Sequence, residues 1–338
     1  MFEVEPTTRI IVAVLACSVI SHAQPASKTV EGAYHFTTPQ TAQSLQEAAT
    51  IVRTVAAIPQ LSVDASAATL TFSGPAEAVD FAEWLLPRID KAAGDDDIHE
   101  YGLPSGDMGR VIFVPAAQTP QALQELVTIL RTVADVQKIF VSTPNHAIAL
   151  RAPAWQMAFA AWIIDQVNQP GQQKPDPTPR EFTIGGPDFR GLGHGARVNF
   201  LTGMTSQREI QELLTVLRTV GDIAKIFNYS ATHALVLRAG DSDLQRAEWM
   251  IQRLDLPAGQ SPGGATFTAS TGDDVTRTFH LRNATPQSLQ TVVTGLRSDL
   301  NIRKVFSTTA PAYVVVRGTT DQIAAAMTWM TAHNALFE

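Results

Sequence analysis

Thiols are almost absent from this sequence, which has one cysteine, Cys17, in 338 residues. With no second cysteine, disulfides and thiolate metal sites within the chain are excluded. Basic excess is also missing. Against 25 Lys and Arg stand 32 Asp and Glu, a net charge of −7, so no broad electrostatic grip on nucleic acid or anionic lipid is expected. The one long apolar run, Ile10 to Ile20, is too short for a permanent membrane span. His35, His99, His146, His194, His233, His280 and His333 are scattered without an i,i+4 pair or an HExxH motif, so no metal site is expected. No nucleophile recurs beside a histidine and an acid. No catalytic residue and no cofactor is expected.

What is present begins with an export signal. Ile10 to Ile20 is followed by Ser21-His22-Ala23, small residues placed for cleavage before Gln24. Glu3 and Glu5 against Arg9 are atypical of such a leader. Val14-Leu15-Ala16-Cys17 loosely matches a lipobox, the alternative being a lipid anchor at Cys17. Cleavage before Gln24 leaves a chain with no thiol and no transmembrane span.

Beyond the leader, one pattern occurs four times. Its landmark is Val52-Arg53-Thr54-Val55, then Leu130-Arg131-Thr132-Val133, Leu217-Arg218-Thr219-Val220 and Leu296-Arg297-Ser298. Helix starts are read at Thr38-Pro39-Gln40, Thr119-Pro120-Gln121, Thr205-Ser206-Gln207 and Thr285-Pro286-Gln287; Thr caps an orphan N–H, and Pro at the first helical position has none to leave unpaired. Downstream come Lys138-Ile139-Phe140, Lys225-Ile226-Phe227 and Lys304-Val305-Phe306, each followed by a second short apolar strand ending in Arg151, Arg238 or Arg317. Each copy closes with a helix holding Trp84, Trp162, Trp249 or Trp329.

Periodicity makes each copy a β-α-β-β-α unit. In the third, Ile210, Leu213, Leu214, Leu217 and Val220 fall on one helical stripe, and Val198 and Phe200 alternate as in a half-buried strand. The fold class is α+β: four tandem βαββα modules, each a small sheet with two helices on one face. A signal peptide occupies 1–23. The repeats span 30–91 (the most diverged), 110–168, 197–256 and 275–338. Between them, 92–109, 169–196 and 257–274 are rich in Gly, Pro, Ser, Thr or Asp and read as solvated linkers. Glu181-Phe182-Thr183-Ile184 is a candidate edge strand for the next unit. The turns between the two later strands vary freely in sequence. Sixty residues give a marginal core, so contacts between units are expected to add stability.

Two residue sets stand out. At about 100° per residue, Trp249 lies opposite the apolar stripe Leu244, Ala247, Met250, Ile251 and Leu254, and Trp162 shows the same offset. A tryptophan kept on the polar face of each closing helix marks an interface, covered either within the chain or by a partner. Arg53, Arg131, Arg218 and Arg297, near helix C-termini, read as structural cations for the last carbonyls. Asp95-Asp96-Asp97 reads as a solvated acidic run and Gly191-Leu192-Gly193-His194-Gly195 as linker, since a strand follows it rather than a helix.

The stretch Thr278-Phe279-His280-Leu281-Arg282-Asn283-Ala284-Thr285 leads into a helix, and Val314-Val315-Val316-Arg317-Gly318-Thr319 into another. This order, with closing Ile89-Asp90 and Leu254-Asp255, resembles the ring-building N-domain of secretins. KH-type folds share the βαββα order, but no repeat carries the GxxG turn they need. The resemblance implies units that stack and bind protein in the bacterial periplasm or at the outer membrane. No amphipathic strand region of pore length follows the fourth copy, so the chain is not expected to be the channel. The function expected is a non-catalytic, exported assembly protein of the cell envelope that binds a protein partner or itself, accessory to a secretion or pilus system. The alternative is a glycan- or peptide-binding module using the tryptophans as platforms.

Overall fold

The computed structural model describes residues 29–91, 99–168, 178–184, 195–257, 260, 262–269, 273–333, 335 and 337. The leader with Cys17, the acidic run 95–97 and residues 191–194 lie outside the described residues. Unit 1 runs β1 (Thr29–His35), α1 (Ala42–Thr54), β2 (Gln60–Asp64), β3 (Thr69–Pro75), α2 (Ala76–Ile89). Unit 2 runs β4 (His99–Gly102), β5 (Asp107–Phe113), α3 (Pro120–Thr132), β6 (Lys138–Ser142), β7 (Ala147–Pro153), α4 (Ala154–Val167). Unit 3 runs β8 (Arg180–Thr183), β9 (Gly195–Phe200), α5 (Gln207–Thr219), β10 (Lys225–Tyr229), β11 (Ala234–Ala239), α6 (Asp241–Leu254). Unit 4 runs β12 (Ala265–Thr268), β13 (Val275–His280), α7 (Pro286–Ser298), β14 (Lys304–Thr309), β15 (Ala312–Gly318), α8 (Thr320–Ala332). The chain is α+β, four βαββα units with one antiparallel sheet each.

The sheet orders are β1-β3-β2, β4-β5-β7-β6, β8-β9-β11-β10 and β12-β13-β15-β14. The segments read as linkers are therefore partly structured. Each donates a four-residue edge strand to the unit that follows, β8 being the Glu181-Phe182 candidate. Strands β5 and β9 also start earlier, at Asp107 and Gly195. In β4 and β12, four residues each, a period-2 pattern is too short to stand out.

Helix starts follow the sequence chemistry in three units. Thr119, Ser206 and Thr285 accept from the N–H three residues on. In unit 1 the N-cap is Thr41 rather than the Thr38-Pro39 pair, with Ser44 completing a capping box. Thr38 is instead tied to Asp90 at the end of α2.

The units stack, sheet on helices. The stripe Ile210, Leu213, Leu214, Leu217 and Val220 is buried against its own sheet as expected. Val198 and Phe200, however, point the other way and are buried in the core of unit 2, together with Ala196, Tyr229, Ala234 and Val236. Likewise Val111, Ala147 and Ala149 enter the core of unit 1, and Tyr313 and Val315 that of unit 3. Each internal sheet is therefore covered on both faces, which supplies the burial that a sixty-residue unit lacks alone.

Candidate functional site

The surfaces that units 1 to 3 present to their neighbours are the most elaborated in the molecule. Each closing-helix tryptophan is half-buried. Trp84 lies 5.8 Å from Phe81 and 5.3 Å from Tyr101, centroid to centroid, with the Arg88 guanidinium 4.2 Å above its ring. Trp162 lies 5.2 Å from Phe182, and Trp249 lies 5.8 Å from Phe267. Tyr101, Phe182 and Phe267 all sit on the donated edge strands β4, β8 and β12. The segment following each tryptophan folds back over it as an edge strand, and this aromatic pair fixes the next unit's sheet on the closing helix.

Trp329 differs. It stacks on His333 at 3.9 Å, donates Nε1–H to Asp299 at 2.8 Å and folds over its own α7. Gly295 makes this possible, because a Cβ there would sit 2.1 Å from the indole. The matching residues of the other units, Ile51, Ile129 and Val216, are buried core.

The repeated arginines act across the unit rather than on their own helix. Arg131, Arg218 and Arg297 donate to the carbonyls of Ile139, Ile226 and Val305, at 2.8, 3.0 and 2.7 Å. Those carbonyls point outward from edge strands β6, β10 and β14. The guanidinium therefore occupies an acceptor that a foreign strand would otherwise meet. Arg53 stands at the same spacing from Leu61 but is exposed.

Two sets of acids missing from the sequence-level expectations complete the junctions. Glu47 accepts from Thr143 N–H at 2.8 Å, Glu125 from Ser230 N–H at 2.8 Å, and Glu212 from Thr309 N–H at 2.7 Å. The turns are thus docked through a backbone N–H, and in units 3 and 4 through the Ser230 and Thr309 hydroxyls as well. Each glutamate lies six residues before the repeat arginine, a recurrence visible in the sequence. The second set is Asp135 and Asp222, both in left-handed conformation (φ 60° and 59°) just past their helices. Asp135 pairs with Lys225 and with Arg238 at 3.0 Å; Asp222 pairs with Lys304 and with Arg317 at 2.8 Å. Arg238 and Arg317 also cap helix ends in the preceding unit, at the Val133 and Val220 carbonyls. Asp274 joins the last junction by accepting from Arg317 and from Arg246, which is 2% exposed. The hydrogen-bonded Arg317, with Arg246 alongside, holds the Asp274 carboxyl below the usual carboxylate range despite its burial.

Both ends of the stack lack this chemistry. In unit 1 the sheet face that would meet a preceding unit carries Glu31, Ala33, His35, Gln60, Ser62, Thr71 and Ser73, where unit 2 has apolar residues and the basic pair Lys138 and Arg151. In unit 4 the junction acids are replaced by Thr291 and Asn301, the latter with the same left-handed backbone (φ 51°). Among the described residues no group of three or more His, Cys, Asp and Glu is arranged to hold a metal ion, and no helix is long and apolar enough to cross a membrane.

No protein-family profile matches the chain, and no curated protein matches it. Among solved structures, Aeromonas hydrophila ExeD is similar at 14% identity and a TM-score of 0.17, over 87% of this chain and 60% of that one. The type II secretion system secretin GspD of E. coli K12 is similar at 11% identity and a TM-score of 0.16, over 87% and 59%. An aspartate kinase from Synechocystis is similar at 10% identity and a TM-score of 0.16, over 91% and 54%. The chain thus spans 60% or less of the length of these proteins.

Proposed function

We propose that this chain is a non-catalytic assembly protein of the bacterial cell envelope, exported to the periplasm or the outer membrane and accessory to a secretion or pilus system. The observation that carries the reading is the investment of the fold in docking: at each junction an aromatic pair, a glutamate and basic clamps join one sheet to the preceding helices. A stack of this kind has an elongated surface and two unlike ends, which suits a scaffold that holds a protein partner. The secretin-like order of strand, "L-x-N-A" turn and helix agrees with it. The glycan-platform alternative loses ground, because Trp84, Trp162 and Trp249 are engaged by Tyr101, Phe182 and Phe267.

The test is in-cell crosslinking of the chain, followed by identification of the bound proteins and by light scattering of the purified protein. Recovery of a defined envelope protein at fixed stoichiometry is expected. A monomer that captures no envelope partner overturns the reading.

A further inference from the structure

Units 2, 3 and 4 each have four strands, and unit 1 has three among the described residues. The strand absent from its described residues is the one that β4, β8 and β12 supply elsewhere, antiparallel to β5, β9 and β13. In unit 1 that position is the outer edge of β1. The Phe36 N–H bonds inward to the Ala68 carbonyl, so by alternation Glu31, Ala33 and His35 turn their backbone N–H and C=O outward. Register makes Ala33 the counterpart of Val111, which pairs with His99, and Glu31 the counterpart of Gly109, which pairs with Tyr101.

We propose that the β1 edge of unit 1 takes up, in trans, an extended strand of a partner protein, antiparallel to β1, completing the sheet as β4, β8 and β12 complete theirs. The inference rests on reading the chain as an interaction protein and names the site and the chemistry of the partner. Three copies of the same joint within the molecule give its direction and length. The two positions where unit 1 departs from them give its side chains. Opposite the donated Glu100 and Glu181 stand Arg110 and Arg197, which pair with them at 3.5 and 2.8 Å. Unit 1 has Gly32 there, with the Phe72 ring packed beneath it at 2.5 Å from where a Cβ would lie. An apolar residue covering the glycine and ring fits this position, and an acid does not. Where the donated strands carry Tyr101, Phe182 and Phe267 opposite Gly109, Ala196 and Thr276, unit 1 has the exposed carboxylate Glu31. A lysine or arginine fits there. Beside it the uncovered sheet face forms an open hollow lined by Glu31, Ala33, Gln60, Ser62, Thr71 and Ser73, with room for the side chain and its hydration. The occupant is thus an extended segment with adjacent apolar and basic residues, its backbone bonded to Glu31 and Ala33.

The test uses the purified chain and a nine-residue peptide with the sequence of residues 178–186 carrying E181L and F182K, followed by amide NMR. In the free protein the Glu31 and Ala33 amides are expected to exchange rapidly with solvent. On addition of the peptide they should shift and become protected, while the unaltered 178–186 sequence binds at least tenfold more weakly. Ala33→Pro removes an outward donor that no bond among the described residues uses, and should weaken peptide binding at least tenfold at unchanged melting temperature. If that variant does not fold, Glu31→Arg, on an exposed side chain, should give the same loss. Protection of both amides before any peptide is added, or binding indifferent to both substitutions, overturns the proposal. An envelope partner that is captured but does not touch β1 would sink this site and leave the assembly role standing.

Discussion

At the scale of single residues, the ends of α2 and α6 show how one carboxylate can set a loop. Asp90, 4% exposed, accepts from the Thr37 N–H at 2.6 Å, the Thr37 hydroxyl at 2.8 Å and the Tyr34 hydroxyl at 3.0 Å, and from Thr38 as well. Asp255 repeats the motif in unit 3 on the N–H groups of Thr202, Gly203 and Met204. Burial alone would raise the Asp90 pKa, but the bonds from Thr38, Thr37 and Tyr34 outweigh it and hold the carboxyl below its ordinary value. A lowered folded pKa stabilises the fold fully above the unfolded value of about 3.9, and that contribution is lost as pH falls through the folded value. Asp90→Asn keeps the shape but puts an amide donor among donors. It should cost about 2–3 kcal/mol at neutral pH, read from urea midpoints, and the gap to the parent should narrow as pH falls below about 3.9 and on through the lowered folded value. The recurrence of Ile89-Asp90 and Leu254-Asp255 was legible in the sequence, but the role of the acid was not. Its partners lie about fifty residues away, and many are backbone N–H groups that carry no sequence signature.

At the scale of elements, the repeat arginines illustrate the same gap between position and role. Their recurrence and their place near the helix end could be read directly, and a capping role at the helix's own carbonyls followed from local chemistry. The fold turns the side chain instead to a carbonyl eight residues on, at the rim of the sheet. A strand edge is a hazard wherever its outward groups are unoccupied, and a bonded guanidinium both satisfies the acceptor and blocks approach. Arg218→Ala is therefore expected to lower stability by about 1–2 kcal/mol and to raise aggregation during refolding, with light scattering reporting the second effect. A loss of stability without added aggregation would reduce Arg218 to a structural tie. The donated strands show the opposite case. β8 was visible as an apolar-polar alternation, whereas β4 and β12 lie in Gly- or Thr-rich segments where composition favours a linker reading and only pairing across the sheet settles the conformation.

At the scale of the whole molecule, a short code repeated at successive junctions explains how four marginal units make one stack and how units 1 and 4 differ from the units between them. The receiving side supplies a glutamate six residues before the repeat arginine and, in units 2 and 3, an aspartate just past the helix. The incoming side supplies an apolar sheet face and a Lys/Arg pair. Unit 1 lacks the incoming chemistry, unit 4 lacks the receiving chemistry, and Trp329 is turned onto α7 of its own unit. Polar ends of this kind keep a head-to-tail contact, which no symmetry would close, from running on into filaments. If the code is sufficient, it can be moved. One variant would carry Ala33→Val, His35→Phe, Gln60→Lys, Ser62→Phe and Ser73→Arg, giving unit 1 an incoming face patterned on that of unit 2. A second would carry Thr291→Glu and Asn301→Asp, giving unit 4 the receiving acids of units 2 and 3. Mixed, the two should form a one-to-one complex by light scattering, weakened at high salt because its clamps are ionic, while the parent chain mixed with either should form none. Failure of the mixture to associate at concentrations near 100 µM, on the order of the weakest specific contacts, would mean that covalent continuity between units supplies what the side chains do not. The junction residues would then be consequences of the stack and not its cause.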